Sequence, residues 1–305
     1  MMNRRGFLKG LGLAAASSTL GHANDVERKP AGPIRAFTFA FFTDVHVHQG
    51  LGAPEGTALA MELMNGSHAD FAICGGDHIF EGLVSGREGI LEQYALYTQL
   101  EKRLKLPVWH VLGNHDVAGL VNTTIDEKDP IYGKALFRKT FNTPTKYTFQ
   151  HKGVRFVILD SIQIVGRNWI PRIDDAQLEW LQDTLDAQPE LPTIIVSHVP
   201  LATGIANYYP GSEDPAFRGV ANSREIIPLI ERYNVIAVLQ GHTHIVEEVK
   251  RHGIHYITGG AVSGNWWHGT HFGDREGVMF VTVEGGTVTT SYAPTGFASV
   301  DPQNS

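Results

Sequence analysis

Ala36-Phe37-Thr38-Phe39-Ala40-Phe41-Phe42-Thr43-Asp44-Val45-His46 is a largely apolar run that ends in two polar side chains one residue apart. An apolar run of this length reads as a strand buried on both faces of a sheet. The chain repeats the arrangement. Phe71–Cys74 precedes Gly76-Asp77, and Val108–Leu112 precedes Gly113-Asn114-His115-Asp116. Thr193–Val196 precedes Ser197-His198, and Val235–Leu239 precedes Gly241-His242-Thr243-His244. In open α/β sheets, ligand sites collect in the crevice beyond the carboxyl ends of the strands. Asp44, His46, Asp77, Asn114, His198, His242 and His244 are therefore predicted to converge at one sheet edge and hold metal.

The ligand chemistry fits two ions better than one. A carboxylate has two oxygens and can bridge, whereas an imidazole offers one nitrogen to one metal. With one carboxylate shared, each ion gains four protein ligands, and water completes each shell. Nitrogen and oxygen donors without thiolate suit iron, manganese, zinc or cobalt. Paired ions about 3.5–4 Å apart are the usual device for in-line displacement at phosphorus.

These five ordered motifs resemble the calcineurin-like metallophosphoesterases, whose pattern is Asp-x-His, Gly-Asp, Gly-Asn-His-Asp/Glu, a lone His, and Gly-His-x-His. The resemblance spans residues 44 to 244 and implies a four-layer α/β/β/α sandwich, two facing mixed sheets flanked by helices. It implies one ion held by Asp44, His46, Asp77 and His244, and a second by Asp77, Asn114, His198 and His242. Asp77 is then the bridge. It also implies that Asn114 and His115 contact substrate, with His115 as the catalytic histidine assisting the leaving group after attack by a metal-bound hydroxide. Asp116 is expected to orient the loop rather than to act chemically. Purple acid phosphatases look similar but use Asp-x-Gly and a tyrosinate three residues after the Gly-Asp aspartate. His46 and Phe80 stand at those places here. Protein Ser/Thr phosphatases carry a second aspartate at that later position, so Phe80 leaves the orienting partner of His115 unidentified. The remaining pattern is most similar to the class III cyclic-nucleotide phosphodiesterase branch. It implies hydrolysis of a small phosphodiester, with a phosphomonoesterase or a non-catalytic metal- or phosphate-binding protein as the alternatives.

Asn3-Arg4-Arg5-Gly6-Phe7-Leu8-Lys9 resembles a twin-arginine export motif, followed by the modestly apolar Gly10–Leu20 and the small-residue site Gly21-His22-Ala23. The apolar stretch is too short for a stable membrane span. The expected organisation is a signal peptide at 1–23, a polar linker at 24–34, the catalytic domain at 35–293 and a C-terminal tail at 294–305. Export would deliver the chain to the periplasm or outside the cell through the twin-arginine translocation machinery. The chain carries 25 Lys and Arg against 32 Asp and Glu, a net charge of −7. Loss of the basic leader makes that balance more acidic, which argues against nucleic-acid polymers, since these need basic patches. The single cysteine, Cys74, cannot form an internal disulfide and reads as a buried thiol.

Helical periodicity is predicted over Gly56–Met64, Glu88–Leu104, Asp174–Ala187 and Ser223–Tyr233, with Asp174 and Ser223 as N-caps. A hairpin is expected through His151-Lys152-Gly153, and strands from Val246 onward, with a loosely ordered tail after Pro294. Leu201–Asn222, carrying Asn207, Tyr208, Tyr209, Arg218 and Asn222, is a candidate cap over the site, with a surface insertion as the equal alternative. Gly259–Gly264 followed by Asn265, Trp266, Trp267 and His268 is a second candidate, with packing of the last sheet as its plainer reading. His48 and His78 lie near ligands in sequence and are expected to support them.

Overall fold

The computed structural model describes residues 34–207 and 219–303. The predicted leader, nearly all of the predicted linker, and Tyr208, Tyr209 and Arg218 lie outside the described residues. In chain order the elements begin with β1 (Phe37–Phe42), α1 (Ala53–Asn65), β2 (Ala72–Cys74), α2 (Arg87–Glu101) and β3 (Val108–His110). They continue with α3 (Ala135–Phe141), β4 (Tyr147–His151), β5 (Val154–Leu159), β6 (Ile162–Val165), β7 (Asn168–Pro171) and α4 (Asp175–Asp186). Last come β8 (Thr193–Ser197), α5 (Ser223–Ile230), β9 (Val235–Gln240), β10 (Val246–Arg251), β11 (Ile254–Gly259), β12 (Gly277–Glu284) and β13 (Thr287–Pro294).

Strand side chains alternate between faces, and β1 shows how that alternation builds the layers. Phe37, Phe39 and Phe41 point inward, where they meet Phe156, Ile158, Ile194, Val196 and Leu239 of the opposing sheet. Ala40 and Phe42 point outward beneath Met61, Met64, Tyr94 and Tyr97 of α1 and α2. The first sheet has the order β13-β12-β1-β2-β3 and the second β10-β11-β9-β8-β5-β4. On the far side, Leu181, Leu185, Ile226 and Ile230 of α4 and α5 cover Val157, Leu159, Ile195 and Val238. The result is the expected α/β/β/α sandwich. Phe39 is fully buried between the sheets, and truncating such a phenylalanine to alanine typically costs about 3–5 kcal/mol. Within each sheet, β1, β2 and β3 run parallel, as do β5, β8, β9 and β11. Their carboxyl ends therefore lie together.

Several local expectations hold and others shift. Asp174 caps α4 through a bond from the Gln177 amide to its Oδ1 at 2.8 Å. Lys152 and Gly153 both take positive φ, 45° and 88°, as a two-residue turn between β4 and β5 requires. Ser223, expected as a cap, is instead the first residue of α5; its hydroxyl donates to the Val220 carbonyl at 2.6 Å. The segment after Pro294 is not loose: Phe297 is buried against Trp267, and Ser299 Oγ donates to the Trp267 carbonyl at 2.8 Å. Helix α3 and the β6–β7 hairpin were not anticipated. Among the described residues, no helix is long and apolar enough to cross a membrane.

Candidate metal centre

The predicted ligands follow the carboxyl ends of β1, β2 and β3 in one sheet and of β8 and β9 in the other. Phe42 pairs with Cys74 and Cys74 with His110, while Ser197 pairs with Gln240. The two sheet edges are tied together across the centre. The His242 amide donates to Asp44 Oδ1 and Oδ2 at 3.0 and 2.9 Å, and His198 Nδ1 lies 2.9 Å from the Gly75 carbonyl.

The backbone here is unusual. Asp44 (φ 55°), His46 (45°), Asp77 (53°), His242 (70°) and His244 (59°) all occupy the left-handed region. Sparsely populated conformations of this kind cost of order 1–3 kcal/mol each and persist where the surroundings over-determine them. Bonds from the Asp44 amide to the Gly76 carbonyl and from the His46 amide to the Asp77 carbonyl, both 3.0 Å, fix two of them. The glycines of the motifs permit close approach. A Cβ on Gly76 would come within 2.4 Å of the His198 ring, and one on Gly113 within 2.1 Å of the Asp77 carboxylate.

All of the predicted ligands meet, in two groups. In the first, His244 Nε2 lies 3.4 Å from Asp44 Oδ1 and 3.0 Å from His46 Nε2. In the second, His198 Nε2 lies 3.2 Å from both Asp77 Oδ2 and Asn114 Oδ1, and His242 completes the cluster. Asp77 Oδ2 is also 3.5 Å from His46 Nε2, so one oxygen faces both groups. Its other oxygen accepts the His115 amide at 2.8 Å.

The donor chemistry fits a metal pair. His244 Nδ1 sits 2.7 Å from the Gly264 carbonyl, matching the His198–Gly75 contact. A carbonyl can only accept, so each Nδ1 carries a hydrogen and a neutral ring turns its Nε2 lone pair inward. Buried lone pairs and carboxylates converging on one volume repel unless a cation lies between them. The titration behaviour agrees. Burial opposes charge at His198, yet the Asp77 carboxylate holds its pKa up at about 9. Burial also opposes charge at Asp44, but its hydrogen bond and charge contact with His244 bring it down to about 2. Burial, reinforced by the His198 charge, presses His242 down to about 4.

His115 stands against His46, with ring centroids 4.9 Å apart. The carboxylate facing His115 Nδ1 is Glu81, whose Oε2 lies 3.5 Å away. It follows Phe80, four residues after Asp77 rather than three. Glu81 is itself fixed by bonds from the Leu83 and Val84 amides to Oε1 at 2.6 and 3.2 Å. Burial works against the imidazolium of His115, but Asp77 and Glu81 together raise its pKa above the ordinary value.

Asp116 orients the loops, as expected. It accepts from the amides of Asp77, His78 and Gly113 at 3.1, 2.9 and 2.9 Å, and lies 2.9 Å from His78 Nδ1. His78 Nε2 then lies 3.1 Å from His110 Nδ1, whose other nitrogen is 3.4 Å from Glu101. His48 packs on Phe80 with centroids 4.4 Å apart. Three other candidates make structural contacts. Asn222 binds both the amide and the carbonyl of Ile173, at 3.2 and 2.9 Å. Asn265 and His268 bond to the C-terminal segment at Gln303 and Asp301, and Asn207 is exposed. The tryptophans divide: Trp267 is buried in the core, whereas Trp266 lies 3.9 Å from His46 by ring centroid.

The model of the calcineurin-like phosphoesterase family matches residues 37–246. A tartrate-resistant acid phosphatase type 5 from Rattus norvegicus is 28% identical over 213 residues, covering 63% of this chain and 61% of that protein. A 3',5'-cyclic-nucleotide phosphodiesterase from a Nostoc species is 27% identical over 174 residues, covering 56% of each. The chain thus matches less than two thirds of the length of these relatives. Among solved structures, a dimetal phosphatase from Danio rerio superposes with a TM-score of 0.60 at 17% identity, covering 86% of this chain and all of that one. The structure of PhoD gives a TM-score of 0.58 at 12% identity, covering 90% of this chain and 75% of that one. At such identities these likenesses speak to fold alone. The family match over residues 37–246 places the chain in the calcineurin-like phosphoesterase family.

Proposed function

We propose that the chain hydrolyses small phosphodiesters with a dinuclear metal centre. The observation that carries this reading is Asp77, whose Oδ2 faces His46 on one side and His198 on the other, while Oδ1 holds the His115 backbone. One ion of iron, manganese or zinc would be held by Asp44, His46, Asp77 and His244, and the other by Asp77, Asn114, His198 and His242. When bound, such a pair supplies positive charge for the phosphate oxygens and lowers the pKa of a water toward neutrality.

The protein's own groups do the rest. Asn114, with Oδ1 turned toward His198, presents its amide N–H to an equatorial phosphate oxygen. His115, with Glu81 beside Nδ1, presents Nε2 as the proton donor to the leaving oxygen. The neighbours of His115 are an imidazole, two carboxylates and an indole. Such surroundings suit a singly charged diester better than the dianion of a monoester. A phosphomonoester is the second reading, favoured by the acid phosphatases among the relatives. The presence of His115 beside the complete ligand set counts against a purely binding role.

Metal-loaded protein should hydrolyse bis-p-nitrophenyl phosphate with a higher kcat/KM than p-nitrophenyl phosphate. His115→Ala should keep its metal and lose roughly 10²–10⁴ in rate. A reversed preference would move the assignment to a phosphatase, and no turnover of either ester would favour the binding protein. Residues 1–23 extend the proposal to twin-arginine export, which a secreted reporter fusion tests. Replacing Arg4 and Arg5 by lysine should retain the reporter inside the cell.

A further inference from the structure

Two adjacent tryptophans occupy the left-handed region, Trp266 at φ 53° and Trp267 at φ 71°. Bulky L-residues rarely adopt it, and here it separates the two indoles. Trp267 is fully buried, and its Nε1 donates to the His46 carbonyl at 3.0 Å. It fills the space beside Gly56, where even a Cβ would come within 2.1 Å of the ring. The C-terminal segment braces this turn from behind, through Phe297 on the Trp267 ring and a bond from the Gln303 amide to the His268 carbonyl at 2.5 Å.

Trp266 goes the other way, over the centre. Its ring centroid is 3.9 Å from His46, 4.9 Å from His115, 5.2 Å from His244 and 5.5 Å from Phe80, and the side chain is partly exposed. Phe80 meets it edge-on, and His48 packs on Phe80, so the aromatic wall continues outward. An indole has no lone pair to offer a metal; its N–H can only donate. What it offers is a large, flat π face, and a metal centre has no need of one. One face packs on His46, at 37° between the ring planes, and the partly exposed indole stands beside His115, the residue assigned above to the leaving group.

We propose that Trp266 is a specificity-determining residue that receives a flat ring carried by the leaving alcohol. Substrates of this class have a nucleoside or aryl group on the departing side, and small aliphatic alcohols gain nothing from it. The inference rests on the phosphoesterase reading given above. Alanine substitution of a stacking aromatic typically weakens base binding by roughly 5- to 150-fold. The indole is held by a turn braced on the core, so it pays little ordering entropy on binding.

The test compares wild type, Trp266→Leu and Trp266→Phe on a dinucleoside monophosphate and on glycerophosphocholine. Leucine keeps an apolar roof over His46 but removes the π face. Its kcat/KM should fall roughly 5- to 150-fold further on the dinucleoside than on the glycerol diester, and phenylalanine should restore most of the difference. Independently of turnover, AMP should quench tryptophan fluorescence in the wild type, glycerol 3-phosphate should not, and Trp266→Phe should lose that quenching. Equal losses on both diesters, or AMP quenching unchanged in Trp266→Phe, would reduce Trp266 to packing over His46. If wild type hydrolysed neither diester, the function proposed above would fall, while quenching by AMP alone would still support the platform.

Discussion

Replacing Asp116 by asparagine should loosen the loops that build the metal centre without touching a ligand. The carboxylate is fully buried. Its Oδ2 serves the Asp77 and Gly113 amides and the His78 ring, and its Oδ1 serves the His78 amide. An asparagine oxygen placed at Oδ2 keeps three of those contacts and turns an N–H₂ toward the fourth donor. One buried amide is then orphaned, at about 1–3 kcal/mol, and His78 loses its charge partner. A total near 3 kcal/mol is expected, which is a large part of the 5–15 kcal/mol typical of a domain. At about 2–4 °C per kcal/mol for a chain of this size, melting should drop by roughly 6–12 °C. Burial opposes charge on His78, but the Asp116 carboxylate lifts its pKa well above 6.5. A raised folded pKa stabilises fully below the unfolded value and is lost as pH climbs through the folded one. The gap between wild type and Asp116→Asn should therefore be widest below pH 6.5 and narrow in alkali. Thermal unfolding followed by circular dichroism across pH measures both effects. A melting point within about 1 °C of wild type at every pH would refute the reasoning.

Other perturbations separate the parts of the site. Glu81→Gln should cut kcat by roughly 10- to 100-fold, the usual cost of losing such an orienting contact. It should also move the alkaline limb of the pH–rate profile to lower pH, because His115 loses one of the charges that raise its pKa; an unmoved limb would remove Glu81 from that role. The Asp77 carboxylate lifts His198 to about 9, and a metal bound there would displace that proton, so metal uptake should release protons and tighten as pH rises. Calorimetry in two buffers of different ionisation enthalpy checks this, and a buffer-independent heat would contradict it. Gly56→Ala should destabilise by about 1–3 kcal/mol through overpacking, since its methyl must displace the Trp267 ring. Chemical denaturation reads that cost, and wild-type stability would show that the ring has room to move.

Much of this architecture is legible in the sequence, because the apolar runs and the polar residues after them are local. Each run reads as a strand, and a strand's carboxyl end has few places to go. That logic alone brings Asp44, His46, Asp77, Asn114, His198, His242 and His244 to one edge. Features that depend on tertiary packing were hidden. Glu81 lies one position beyond the place where the related pattern keeps its carboxylate, and only the turn at Leu83–Val84 brings it to His115. The β6–β7 hairpin carried a signal in Gly166-Arg167, with Gly166 at φ 58°, but its short strands lie outside both large sheets. The tail after Pro294 shows no periodicity, and it is ordered by tertiary contacts, with Phe297 docking on Trp267 and Ser299, Asp301 and Gln303 bonding to the Asn265–His268 turn. The left-handed conformation of five ligands has no sequence signature at all. It comes from close contacts between loops of different strands.

Anomalous diffraction from manganese-soaked crystals tests the central claim most directly. Two peaks should appear about 3.5–4 Å apart, one on either side of Asp77 Oδ2, and Asp77→Asn should lose at least one of them. A single peak in the wild-type protein, or two peaks that do not share Asp77, would contradict the account.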